Sequence, residues 1–312
     1  MSSALLAPKY LILAAFLASV LYVHLRGKVR FSFVRQLFNH SSLLAPYNAM
    51  MYLFSAVPSK PLLSEREFPD LRALSDNWQM MREEALKLND EGYIRTALDN
   101  NDIGFNSFFK RGWKRFYLKW YDQPLASAQV LCPRTVALLN RIPNVKGAMF
   151  ALLGPNTYLT PHRDPFAGSL RYHLGLVTAN SDACFISVDG ERYAWKDGDA
   201  VLFDETYIHY VENNTDVTRI ILLCDIERPL RARAMQAVNR WVSRCIVAAS
   251  STQNVEDEPV GALNRFYSRV YHPVAQRVSG AARRLKQRNR PLYRTLQYGI
   301  GLGALYLIFV GL

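Results

Sequence analysis

The sequence predicts a mostly β domain with flanking helices, a sandwich or barrel set between an N-terminal and a C-terminal transmembrane helix. Three observations carry that expectation. Short strand-like runs recur between Val145 and Asp225, broken by turn residues such as Asp189-Gly190 and Asp197-Gly198. Regularly spaced short strands with turn signals favour a sandwich or barrel. Tyr10 to Leu25 has no Lys, Arg, Asp or Glu, and Thr295 to Leu312 is likewise uncharged and apolar.

Taken in order, the first element is Tyr10–Leu25. As a helix it spans about 24 Å, short of a hydrocarbon core of ~30 Å. Leu5 and Leu6 extend it if Lys9 snorkels. Arg26, Lys28, Arg30 and Arg35 follow, and positive charge on that side places it in the cytoplasm. Leu43 to Val57 is apolar but interrupted by Pro46. It is too short to span, and either an interfacial or a domain-packed role fits. Ser64-Glu65-Arg66-Glu67 reads as a capping box. Leu71, Leu74, Trp78, Met81, Ala85 and Leu88 continue with helical spacing up to Asn89-Asp90-Glu91-Gly92. Trp113 to Tyr121 alternates as a strand, and Pro133 to Leu139 reads as a short helix before Val145–Leu153, the first core strand. The later runs are Arg171–Val177, Ala183–Val188, Arg192–Trp195, Ala200–Phe203, His209–Glu212 and Arg219–Asp225. Beyond them, Pro229–Ala249 reads as an amphipathic helix with Trp241 and Val242 on one side and Arg233, Arg240 and Arg244 off it. Ser250–Pro259 reads as a polar, acidic linker, and Ala282–Arg294 as a polybasic juxtamembrane block.

Charge is unevenly placed. The chain of 312 residues carries a net +12, and Arg228–Arg294 holds fourteen Lys/Arg against three acidic residues. Such a block suits nucleic acid or an anionic membrane surface. The apolar neighbours on both sides decide for membrane, so no nucleic acid is expected, and no protein partner is inferred. Cys132, Cys184, Cys224 and Cys245 show no Cys-x-x-Cys spacing. Reduced thiols in the cytosol are the plain reading.

The chemistry concentrates in Gly154–Asp225. His162 and Asp164 lie two apart between Pro161 and Pro165, and His209 comes much later. Two imidazoles and a carboxylate with open positions form the facial triad of non-haem Fe(II) oxygenases. The free positions suit a bidentate 2-oxo acid and O2. Arg219 sits ten residues after His209 in an otherwise apolar run, where an unpaired charge is costly. Its planar fork suits the far carboxylate of 2-oxoglutarate. The turn cluster Asn213–Asp216 suggests that His209 and Arg219 lie on adjacent antiparallel strands. Arg171 and His173 share a face of another strand and suit contact with co-substrate or substrate.

These residues resemble the aspartyl/asparaginyl β-hydroxylase family of Fe(II)/2-oxoglutarate dioxygenases. The likeness is carried by His162, Arg171-Tyr172-His173-Leu174-Gly175-Leu176, Phe203-Asp204, His209 and Arg219. Upstream it extends through Phe68-Pro69, Asn77-Trp78, Cys132-Pro133 and Gly147–Phe150, covering roughly residues 66–230. The resemblance implies a double-stranded β-helix (jelly roll), iron on His162 and His209, 2-oxoglutarate on Arg219, and a co-substrate pocket lined by Arg171 and His173. Asp164 stands where peptide-hydroxylating animal members lack a carboxylate, so the chain looks like the bacterial branch with a full triad. Ala151 stands where those members have a serine that helps hold 2-oxoglutarate.

The implied organisation is an N-terminal anchor over 1–27, a membrane-proximal segment over 28–63 and the dioxygenase jelly roll over 64–228. A basic amphipathic region over 229–294 and a C-terminal anchor over 295–312 complete it. Two anchors and a basic rim suit an acylated anionic lipid. The layout is similar to bacterial members that hydroxylate C2 of a lipid A acyl chain at the cytoplasmic face of the inner membrane. A membrane-bound peptidyl aspartyl/asparaginyl β-hydroxylase and a non-enzymatic lipid-binding module are the competing expectations.

Overall fold

The computed structural model describes residues 8–97, 102–121 and 125–306. Among the described residues ten strands carry the fold: β1 (Leu62–Leu63), β2 (Trp113–Trp120), β3 (Val145–Leu153), β4 (Thr157–His162), β5 (Ser169–Val177), β6 (Cys184–Val188), β7 (Glu191–Ala194), β8 (Ala200–Phe203), β9 (His209–Asn213) and β10 (Arg219–Glu227). They form a six-stranded sheet ordered β1-β8-β5-β10-β3-β2 and a four-stranded sheet ordered β4-β9-β6-β7. All pairings are antiparallel. From β3 to β10 the chain winds between the two sheets, which is the double-stranded β-helix path.

That winding corrects one expectation. His209 and Arg219 lie on consecutive strands, but β9 belongs to the small sheet and β10 to the large one. Both face inward because the two sheets face each other, and the Asn214–Thr218 turn crosses between them.

β10 is buried along almost its whole length. Alternate residues Arg219, Ile221 and Leu223 line the interior pocket. Ile220, Leu222, Cys224 and Ile226 on the other face are also buried, in one core with Leu74, Met81, Leu88 and Leu139 from the helices Arg72–Asp76, Trp78–Asp90 and Pro133–Asn140. Burial on both faces makes these strands read as apolar runs rather than alternating ones. Gly175 fits a close approach, because a Cβ there would lie 2.1 Å from the carbonyl oxygen of Lys196. The helix expected from Ser64 is broken. Short 3₁₀ turns occupy Glu65–Glu67 and Pro69–Leu71, and α-helix begins at Arg72 and restarts at Trp78. Pro69 disfavours helix at Phe68.

The polar stretch after Ser250 is not a loose linker. Asn254 donates to the Tyr117 carbonyl and accepts from the Tyr117 N–H, both at 2.8 Å. Its amide thus pairs the outer edge of β2 as a strand would, which protects an edge that otherwise invites pairing with another chain. Glu258 accepts from the backbone N–H groups of Ser127 and Asn254.

The N-terminal helix runs Pro8–Leu25 and is long and apolar enough to cross a membrane. The chain divides into a compact unit Ala15–Asn264 and a second comprising Met1–Ala14 with Arg265–Leu312. Within the first unit, Val20 and Val23 are buried against Tyr47, Met51 and Tyr52 of helix Ala45–Leu53. Leu17, Leu21 and Leu25 face outward. The segment Leu43–Val57 therefore packs on the domain through one face and exposes Leu43 and Leu53 on the other. Arg26, expected as part of a basic flank, instead turns inward to Asp204. On helix Arg233–Val242, Val242 and Asn239 face the core while Trp241 is exposed, so Trp241 and Val242 do not share a side. In the second unit, helices His272–Arg288 and Arg290–Tyr306 carry the basic block. The last six residues of the expected C-terminal anchor lie outside the described residues.

Candidate active site

His162 ends β4 and stands opposite His209 at the start of β9, next to a β-bulge that follows Leu159. Their rings lie 4.2 Å apart, centroid to centroid. Asp164 follows in a loop fixed by its N–H donating to the Glu205 carbonyl at 3.0 Å. Its Oδ1 is 3.9 Å from His162 Nε2. One ligand atom from each of the three residues lies within 4.8 Å of the others.

The protonation pattern suits a metal. His162 Nδ1 lies 2.7 Å from the Thr160 carbonyl, and His209 Nδ1 lies 3.0 Å from the Tyr207 carbonyl. A carbonyl only accepts, so each Nδ1 carries the proton and each Nε2 keeps its lone pair free. Burial lowers both imidazoles, His209 to about 3 with help from the neighbouring His162. Burial alone would raise the Asp164 carboxyl, but Arg171, His209 and His162 hold it to about 2. At neutral pH the set is two neutral imidazoles and a carboxylate, the form that binds a metal. With an open side, this donor set fits ferrous iron.

Arg171 is placed differently from Arg219. Its guanidinium is gripped by three carboxylates: Asp164 at 2.8 Å, Glu205, and Asp225 at 3.4 Å. It borders the pocket, yet its charge is already committed to orienting Asp164. Arg219 is the opposite case. It is 2% exposed, and its Nε and Nη1 have no hydrogen-bond partner. The Trp195 ring lies 4.3 Å from its guanidinium carbon. Burial pushes it down to about 10, so it remains cationic at neutral pH. His173 lies on the same pocket wall, with both ring nitrogens buried and unpartnered. Burial, Arg171 and Arg219 keep it neutral. Native proteins seldom bury unpaired polar groups, so these atoms suit an anionic ligand. Ala151 pairs in register with Ile221, which lines the pocket.

The rest of the pocket is apolar: Phe105, Phe108, Trp113, Leu159, Ile186 and Phe203 among others. Phe108 packs 4.7 Å from the His162 ring.

A family model described as aspartyl/asparaginyl beta-hydroxylase matches residues 75–229. An ornithine lipid ester-linked acyl 2-hydroxylase from Rhizobium tropici is 31% identical over 196 residues, covering 62% of this chain and 69% of that protein. The chain belongs to the aspartyl/asparaginyl β-hydroxylase family. It is therefore an enzyme, a hydroxylase. The Mus musculus aspartyl/asparaginyl beta-hydroxylase is 26% identical over 187 residues, which cover 57% of this chain but only 25% of the mouse protein. Among solved structures, a Pseudomonas putida prolyl-4-hydroxylase is similar with TM-score 0.35 and 16% identity, over 49% of this chain and 87% of that one.

Sequence reasoning missed Glu205 and Asp225 behind the site, and it gave Asp204 no role beyond the family likeness. Glu205 and Asp225 hold Arg171, and Asp204 binds Arg26 and Arg228. The one available signal was acidic residues inside apolar runs, Leu202-Phe203-Asp204-Glu205 and Cys224-Asp225-Ile226, where an unpaired charge is costly.

Proposed function

We propose that this hydroxylase is an Fe(II)- and 2-oxoglutarate-dependent dioxygenase acting at C2 of an acyl chain of a membrane lipid, with lipid A as substrate. The single observation that carries the cofactor reading is Arg219. A buried guanidinium with two free N–H-bearing nitrogens shares one pocket with the His162–Asp164–His209 cluster. His162, Asp164 and His209 would hold iron, and Arg219 would fork onto the far carboxylate of 2-oxoglutarate. Bound together with O2, these groups supply an oxidant able to hydroxylate an unactivated C–H while 2-oxoglutarate becomes succinate and CO2.

The chain's own residues do the rest. Arg171 fixes the Asp164 carboxylate, and the two backbone carbonyls fix the imidazole tautomers. Neutral His173 offers one N–H and one lone pair to the co-substrate. Phe105, Phe108 and Trp113 keep water from the reacting centre and give an acyl chain an apolar wall.

The lipid reading draws on the name of the Rhizobium relative and on the docked apolar N-terminal helix. The basic C-terminal stretch suits lipid phosphates, each Lys or Arg contributing about 1 kcal/mol near an anionic surface. That positive charge, with Lys28, Arg30 and Arg35 after the first helix, favours a catalytic domain at the cytoplasmic face of a bacterial inner membrane. The mouse relative's name keeps a second reading, hydroxylation of Asp or Asn side chains in a peptide. Purified full-length protein with Fe(II), 2-oxoglutarate and ascorbate is to be offered lipid A, ornithine lipid and Asp-containing peptides. One oxygen gained on a lipid A acyl chain, by mass spectrometry, supports the proposal. Oxygen gained only on peptide sinks it, and oxygen gained only on ornithine lipid overturns the lipid A assignment.

A further inference from the structure

The segment leaving the N-terminal helix touches both loops that carry the metal-ligand candidates. The Arg26 side chain is 7% exposed, with Nη2 2.7 Å from Asp204 Oδ2 and Nη1 donating to Thr206 Oγ1 at 2.7 Å. It is sandwiched between the rings of Tyr52 at 3.9 Å and Tyr207 at 4.1 Å. Tyr207 is the residue whose carbonyl orients His209. Next to Arg26, Gly27 has φ +94°, and a Cβ there would lie 2.8 Å from Asp189 and 2.9 Å from the Tyr207 ring. Asp189 accepts from the N–H groups of Lys28 and Val29, and its own N–H donates to the Ile208 carbonyl. All of this bears on Asp204–His209.

The other ligand loop is held from the same side. Arg163, between His162 and Asp164, donates from Nη1 to the Val23 carbonyl at 2.6 Å. The His40 ring approaches the Arg163 carbonyl at 2.9 Å through Nε2, and Asn48 donates to the Pro165 carbonyl and accepts from the Ala167 N–H. An apolar helix alone would need none of these contacts. Most fix backbone or side chain within a few residues of a ligand candidate, Asp189 doing so through Ile208, and outer contacts of this kind set metal affinity.

We infer that the exit of the N-terminal helix is a working part of the metal centre, with Arg26 as a positioning residue that ties the seating of that helix to metal affinity. The inference rests on the reading of His162, Asp164 and His209 as metal ligands.

The test measures Co(II) affinity of full-length protein in detergent from the visible absorption of the bound ion, with thermal unfolding alongside. Arg26→Gln leaves Asp204 paired with Arg228 at 2.8 Å, so the carboxylate is not orphaned and the chain is expected to fold. Co(II) binding is expected to weaken on the order of tenfold or more, and Arg26→Lys to recover part of the loss. Asn254→Ala, on the outer edge of β2, is the control for general loosening and should lower the unfolding temperature with Co(II) affinity unchanged. If Arg26→Gln does not fold, Asp189→Asn loosens the same clamp through Lys28 and Val29 and should weaken Co(II) several-fold. Wild-type affinity in Arg26→Gln, or in Asp189→Asn where it stands in, overturns the inference. So does an equal loss in the control. A wild-type protein that does not bind Co(II) overturns the metal-site reading itself, a separate failure.

Discussion

Replacing Arg219 by methionine should stabilise the ligand-free protein while removing its grip on 2-oxoglutarate. Methionine keeps an unbranched side chain that fits irregular space. Burial pushes the Arg219 guanidinium down to about 10. Against an ordinary value near 12.5, and at about 1.4 kcal/mol per tenfold in acidity, that burial costs the ligand-free fold on the order of 3 kcal/mol. Stacking on Trp195 returns about 1–2 kcal/mol, leaving a net gain of about 1–2 kcal/mol in the variant. For a unit spanning Ala15–Asn264, this raises Tm by several degrees, at about 2–4 °C per kcal/mol. Losing a buried charged partner costs the ligand about 2–5 kcal/mol, or roughly thirtyfold to several thousandfold in affinity. The assay pairs thermal unfolding of metal-free protein with succinate release against 2-oxoglutarate concentration. 2-Oxoglutarate should raise the Tm of the iron-loaded wild type and not that of the variant. A variant that is less stable and keeps its KM for 2-oxoglutarate would refute the argument on both counts.

Arg171→Met leaves Asp164, Glu205 and Asp225 buried without their shared cation, a loss of about 3–5 kcal/mol. Burial already raises Glu205 and Asp225 in the wild type. Without Arg171 the folded state therefore binds more protons than the unfolded chain, and stability falls as pH rises. Denaturant unfolding of the variant should show it more stable at pH 5 than at pH 7.5; the reverse order would count against this cluster. Co(II) affinity of the wild type should fall less steeply from pH 7.5 to 5.5 than ordinary imidazoles would allow, because burial lowers His162 and takes His209 to about 3, and Asp164 is held to about 2. Two imidazoles of ordinary pKa would instead lose up to about a hundredfold per pH unit below 6.5, and titration calorimetry distinguishes the two. Asn254→Ala strips two buried backbone partners from Tyr117 and should cost about 2 kcal/mol or more, read as a shift in urea midpoint; no shift would mean that water replaces the amide.

Much of the site was legible because its chemistry demands residue types that stand out. His162, Asp164 and His209 needed only their order along the chain to suggest a cluster, and the cluster forms. Arg219 stood out as a charge in an apolar run, and it lies unpaired in the same pocket. Arg171 stood out equally, yet it answers three carboxylates rather than standing free. No pattern of spacing could separate the two arginines, since the difference lies in what the facing strands bring.

The elements themselves were set locally. Short β runs between turn residues gave β2, β3 and β5 to β10 nearly at their ends but not β1 or β4, and apolar length gave the first helix, because strand and helix periods are written residue by residue. Three-dimensional closure decided everything that depends on distant partners. It placed His209 and Arg219 in opposite sheets, turned Arg26 away from the basic flank into a buried pair with Asp204, and drew Asn254 onto the free edge of β2. Those contacts join residues more than a hundred positions apart. A side chain's own neighbours in sequence say what it prefers, and only the packed chain says what it meets.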